Sequence, residues 1–223
     1  VHLALKKPNG AAERDPDEDR AHLIDFLDRH GAPHPAPEAN HHFHDFGRFR
    51  MKWERHTEFV SYTLYEESEV EDVFDAELME IFPDDWRETA PGQVIAAIQV
   101  EVLRAGGKEE TEGLISGALA REFNAESLAV ARVLDDQAYA MSDFRIHEGG
   151  FTRIALIVHG RSGPRRVGRI VQRLLEVETY RTVAMLALPI ARRTAKRLNE
   201  IERELTRLID MVAHDETGAQ ERE

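Results

Sequence analysis

Apolar residues recur along this chain at two spacings, alternate positions and then steps of three and four. Val1, Leu3 and Leu5 alternate with His2, Ala4 and Lys6 before Pro8-Asn9-Gly10, which predicts a strand and a break. Asp15-Pro16 followed by Glu18 reads as an N-cap, a first-turn proline and a capping-box acid ahead of Leu23, Ile24 and Leu27, a helix that should stop at Gly31. Residues 32–40, APHPAPEAN, lack periodicity and form an extended connector. Phe49, Met51 and Trp53 are apolar on odd positions, whereas Val60, Tyr62 and Leu64 are apolar on even ones, so the apolar face changes sides near 55–58. With no Gly, Pro or Asn there to turn the chain, the pattern predicts one long strand over 49–66, bent or bulged at Glu54, Arg55, His56, Thr57 and Glu58.

Further on, Asp75 is expected to cap a short helix carrying Leu78, Met79 and Phe82 and ended by Pro83, with Trp86 covering the core from the next connection. Val94, Ala96, Ile98, Val100 and Val102 alternate as a strand, and Leu114, Ile115, Ala118, Leu119 and Phe123 mark an amphipathic helix over 110–123. Strands at 127–133, 138–147 and 151–158 form a meander. Ser142, Phe144 and Ile146 share a side with Thr152, Ile154 and Leu156 if Glu148-Gly149-Gly150 is a three-residue loop, which leaves Asp143, Arg145 and His147 in a row on the opposite face. From 165 to about 212 the only helix breaker is Pro189, so one long kinked helix or two helices follow. Leu198, Ile201, Leu205, Leu208 and Val212 step by three and four along it, a coiled-coil seam with no partner evident in the chain.

These elements predict an α+β fold: a mainly antiparallel sheet of about five or six strands with helices on one face (1–162), then a long C-terminal helical, coiled-coil-like arm (163–213). An acidic tail, 214–223, is expected to be disordered. The meander has no crossover helices, which argues against a doubly wound sheet.

Composition narrows the function classes. The formal charge of −13 would repel nucleic-acid phosphates, and with no cysteine there is no disulfide, thiolate catalysis or Cys-ligated zinc. No run approaches the roughly 18–20 apolar residues that cross a bilayer. The chain opens on Val1 without an initiator Met and runs straight into a strand, so it is expected to be part of something longer.

Two polar rows could carry chemistry. His56 with Glu58, and Asp143 with His147, each offer a carboxylate and an imidazole, with Arg55 or Arg145 to hold an anion; the rows would converge if their strands were neighbours. On the long helix Arg173, Glu176, Glu178, Tyr180 and Arg181 form a cluster expected to be the paired, polar joint where the helix docks on the sheet. His42 and His44 would share a face of a strand and are weak metal candidates. P-loop, nucleophile-elbow and His-Glu-x-x-His patterns are absent, and no cofactor is assigned.

FRMKWERHTEF at 49–59, SDFRIHEGGFTRI at 142–154 and GRIVQRLLEVETYRTVAMLALP at 168–189 resemble a bacterial family of uncharacterised membrane-anchored proteins defined by a domain of unknown function. The likeness runs over most of 1–211, departing at Ser142, where the family pattern has threonine. The resemblance implies a longer protein that continues as helix and ends in an apolar segment able to span a membrane, with this part soluble and cytoplasmic; any membrane contact would be through that segment, which this chain lacks. It implies no activity, substrate or cofactor. The resulting expectation is a non-enzymatic scaffold or interaction module that self-associates, or meets another helical protein, through Leu198, Ile201, Leu205, Leu208 and Val212. The alternative is an enzyme or small-anion sensor using the His, Glu, Asp and Arg rows.

Overall fold

The computed structural model describes residues 1–7, 15–67, 73–74, 80–133, 138–159 and 162–220, the side chains of 210 and 212–220 excepted. The helix expected from Asp75 with Leu78 and Met79, and the Asp135-Asp136 turn, lie outside the described residues. The chain forms two compact units, Val1–Thr179 and Tyr180–Glu223.

The first unit is built on an eight-stranded sheet in the order β2-β3-β4-β1-β5-β8-β7-β6. The strands are β1 (His2–Lys6), β2 (His41–Asp45), β3 (Arg50–Arg55), β4 (Val60–Tyr65), β5 (Gln93–Ala105), β6 (Ala129–Val133), β7 (Ala138–Ser142) and β8 (Thr152–His159). Neighbours pair antiparallel except β5 and β8, which run parallel. The α+β class and the mainly antiparallel sheet hold. The strand count exceeds the expected five or six because 49–66 is two strands and the histidine-rich segment 41–45 is a third.

The long bent strand expected over 49–66 is instead a hairpin. Trp53 lies opposite Tyr62 and Met51 opposite Leu64, and the His56 N–H donates to the Phe59 carbonyl at 2.9 Å, leaving Thr57 and Glu58 as the turn. A two-residue turn pairs odd positions with even ones, so the switch of apolar parity is what this hairpin requires. Neither turn residue has a positive φ, and a turn of ordinary backbone needs no glycine. Gly47, at φ +85, supplies the corresponding turn between β2 and β3, held by its N–H on Asp45 Oδ1 at 2.8 Å.

Helix α1 (Pro16–Arg29) starts as its sequence signals require: Asp15 caps it by accepting from the Asp17 N–H, and Gly31 follows the C-terminus at φ +65. It buries Leu23, Phe26 and Leu27 against Leu3, Leu5, Met51, Trp53, Tyr62 and Leu64, a cluster completed by Trp86 on the short α2 (Asp84–Glu88). His22 lies inside this core. Its Nε2–H donates to the Trp86 carbonyl at 3.0 Å, so its Nδ1 accepts from the Tyr62 hydroxyl at 2.9 Å, and the ring stacks on Trp86 at 3.9 Å. Burial holds its pKa below the ordinary histidine value.

The helix expected over 110–123 breaks at Gly117 into α3 (Lys108–Ser116) and α4 (Ala118–Glu122). Leu119 and Phe123 pack with Ala105, Met141, Ala155 and Ile157. By strand register these lie on the same side as the α1 core, so α1 to α4 share one face, as expected. The opposite face is not left bare. Ile170 and Leu175, in the first part of α5 (Pro164–Gln220), cover Ile98, Ile154, Leu156 and Val158 there. Covering these apolar residues of β5 and β8 takes them out of water, while Val102 on the same face of β5 stays partly exposed.

The second unit is the remainder of α5, which runs helical through Pro189 as far as Gln220. The expected disordered tail therefore has helical backbone over 214–220, while 221–223 lie outside the described residues.

Candidate functional site

The proposed convergence of the two polar rows fails on strand order: β4, β1, β5 and β8 stand between β3 and β7. His56 and Glu58 belong to the β3–β4 turn, where the His56 ring stacks on Phe59 at 4.3 Å and its Nε2 lies 3.4 Å from Ser61 Oγ. Arg55 donates its backbone N–H to the Asn40 carbonyl, tying that turn to the start of β2.

Asp143, Arg145 and His147 do come together, but not as a row on a strand. Strand β7 ends at Ser142, and Phe144 takes a φ of +55, uncommon for a residue with a side chain. The strand expected over 138–147 thus stops at Ser142, and the 143–147 segment that follows is irregular. The Glu148-Gly149-Gly150 loop is present as foreseen, with the His147 N–H donating to the Phe151 carbonyl at 2.7 Å.

Asp143 organises this segment. Its Oδ2 accepts the Asn124 N–H at 2.8 Å, and its Oδ1 accepts the Arg145 N–H at 3.1 Å and the His147 Nε2–H at 3.0 Å. The carboxylate side chain is fully buried. Burial pushes its pKa up, but the Asn124 N–H, the His147 ring and the Arg145 N–H together hold it below the usual carboxylate range. A cleft of about 420 Å³ opens beside it, lined among others by Arg121, Glu122, Glu148 and Arg153.

The sequence reading missed Arg153, Glu122 and Asn124. Arg153 interrupts the apolar run of β8, which was the available signal. It donates to Glu122 Oε2 at 2.8 Å and lies 5.2 Å over the Phe74 ring.

The chemistry on offer is limited by how fully these groups are engaged. Arg145 Nε donates to Ser127 Oγ at 2.8 Å, and Ser142 Oγ donates to the Arg153 carbonyl while accepting the Phe144 N–H. Neither hydroxyl is held against His147 as a nucleophile would be. Glu122, Asp143 and Glu148 offset Arg121, Arg145 and Arg153, so the cleft has no excess of positive charge to draw an anion. The cluster works as a buckle between the end of α4 and the 143–147 segment.

The joint residues on α5 divide between the units. Glu178 and the neighbouring Thr179 are buried, whereas Arg173 and Glu176 are exposed, and Glu176 accepts from Gln172. Thr179 Oγ1 lies 3.3 Å from His2 Nε2, and His2 Nδ1 is 2.9 Å from Thr63 Oγ1. Burial first, then nearby positive charge including Lys52, lowers the His2 pKa to about 3. Tyr180 and Arg181 open the second unit.

His42 and His44 share a face of β2 as parallel rings 6.2 Å apart. Among the described residues no group of three or more His, Asp or Glu side chains is placed to hold a metal ion.

In the second unit Leu198, Ile201, Leu205 and Leu208 are 54%, 52%, 56% and 58% exposed; the side chain of Val212 is outside the description. Among the described residues no helix is long and apolar enough to cross a membrane. A family model described as a protein of unknown function (DUF3422) matches residues 1–223. No curated protein and no solved structure matches the chain.

Proposed function

The chain belongs to the DUF3422 family, and from that premise we propose that it is a non-enzymatic interaction module that assembles through the helix of its second unit. One observation carries this reading: Leu198, Ile201, Leu205 and Leu208 step by three and four residues along α5, and each has more than half its surface open to water. Covering them would stabilise an assembly by about 1 kcal/mol per side chain, half the value of burying such a residue completely. The fully engaged buckle at Asp143 supports a structural use of the first unit, and the enzyme or anion-sensor reading comes second. A membrane tether outside these residues, with this module on the cytoplasmic side, follows the resemblance of the motifs.

Light scattering on the whole chain and on a chain ending at Pro189 tests the proposal. The whole chain should show a mass above that of one copy, rising with concentration, and the shorter one should stay monomeric. Equal monomeric masses at high concentration would refute self-assembly.

A further inference from the structure

Building on this self-assembly, we infer that the copies associate in parallel and in register along 198–208. The argument is charge complementarity along an exposed seam. Taking Leu198 and Leu205 as heptad positions a, and Ile201 and Leu208 as d, places Arg197 and Glu204 at g and Glu202 and Ile209 at e. All eight side chains are exposed on the helix.

In a parallel, in-register arrangement each core residue meets itself, so large apolar side chains face large ones in every layer. Position g then faces e of the next heptad in the neighbouring copy. Arg197 meets Glu202, and Glu204 meets the apolar Ile209, so no like charges are opposed.

The antiparallel alternatives are each worse. Matching Leu198 with Leu208 and Ile201 with Leu205 keeps the core but brings Glu202 onto Glu202 and Glu204 onto Glu204. Sliding by one heptad lets Arg197 meet Glu204, yet it sets Leu205 and Leu208 against Thr194 and Ala191 and forfeits their burial. Sliding by one heptad the other way opposes no like charges and pairs Leu205 with Leu208, but it sets Leu198 against the aspartate at 215. The parallel arrangement is the one that keeps Leu198, Ile201, Leu205 and Leu208 all in the core without opposing like charges.

The chain has no cysteine, so Leu198→Cys gives a protein with a single thiol. Parallel, in-register copies place the two thiols together. In the core-matched antiparallel form they stand roughly 15 Å apart at 1.5 Å per residue, beyond the ~7 Å between Cα atoms that a disulfide tolerates. Under mild oxidation Leu198→Cys should give a covalent dimer on a non-reducing gel, and so should Leu205→Cys made separately. Light scattering of the same proteins under reducing conditions reports association independently of orientation. Association without the 198 link, or preferential linking when Leu198→Cys and Leu208→Cys chains are mixed, would overturn the parallel arrangement and leave self-assembly standing. A monomeric mass would overturn both. Arg197→Glu should weaken association about tenfold at low salt, and adding Glu202→Arg should restore it. Failure of the double variant to restore it would also count against the parallel pairing.

Discussion

Replacing Asp143 with alanine removes a buried carboxylate that accepts from three donors, the N–H groups of Asn124 and Arg145 and the His147 ring. A hydrogen bond to a charged group contributes about 1.5–3 kcal/mol, but the donors here border an open cleft and recover part of that from water. The expected loss is therefore about 2–4 kcal/mol. His147→Ala leaves the carboxylate with both backbone donors and should cost only about 1 kcal/mol. Urea unfolding followed by tryptophan fluorescence measures both, because Trp53 and Trp86 are fully buried in the first unit. The dependence on pH adds a second check. A carboxyl whose folded pKa is depressed contributes fully above its unfolded value, near 4, and that contribution is lost as the pH falls through the folded value. The gap between the native chain and Asp143→Ala should accordingly narrow below about pH 4. A change of less than about 0.5 kcal/mol at neutral pH, within the usual range for surface substitutions, would refute the buckle and reopen a chemical role for the pair.

Tyr62→Phe strips the donor from His22 Nδ1 inside the core and should destabilise the first unit by about 1–3 kcal/mol in the same assay; no change would mean that the nitrogen finds another partner. Gly92→Ala sets a Cβ 2.8 Å from the Lys6 backbone at a position of positive φ and should cost about 1–3 kcal/mol, read as a lower melting temperature. His2, His22 and His42 all have depressed pKa values, so the unfolded chain takes up protons first as the pH drops below about 6.5, and the urea midpoint should be lower at pH 5 than at pH 7.5; a higher midpoint at pH 5 would contradict the sign.

Local features were legible where a few adjacent residues decide them. The α1 cap at Asp15, the stop at Gly31 and the Glu148-Gly149-Gly150 loop each follow from short-range backbone chemistry. The β3–β4 hairpin was written in the parity change between Trp53 and Val60 but was hidden by the absence of glycine, which this turn does not need. The reverse happened at 142–146. Ser142, Phe144 and Ile146 alternate like a strand, but Asp143 captures two nearby donors of its own segment and bends the chain away, leaving Phe144 and Ile146 48% and 78% exposed. Whether His56 and Asp143 would meet depended on strand order, and that order is set by pairings between distant segments that no local pattern encodes.

The place of β1 has a consequence for how the protein is made. It precedes both strands that flank it, and its contacts with β4 span about 60 residues, so during synthesis it must wait while α1, β2 and β3 emerge. The β2–β3–β4 hairpins can form within about 1–10 μs of being available, whereas inserting β1 between β4 and β5 requires closing long loops. Until then Leu3 and Leu5 sit on a strand with both edges open, a segment that a chaperone would bind and that another nascent copy could pair with by mistake.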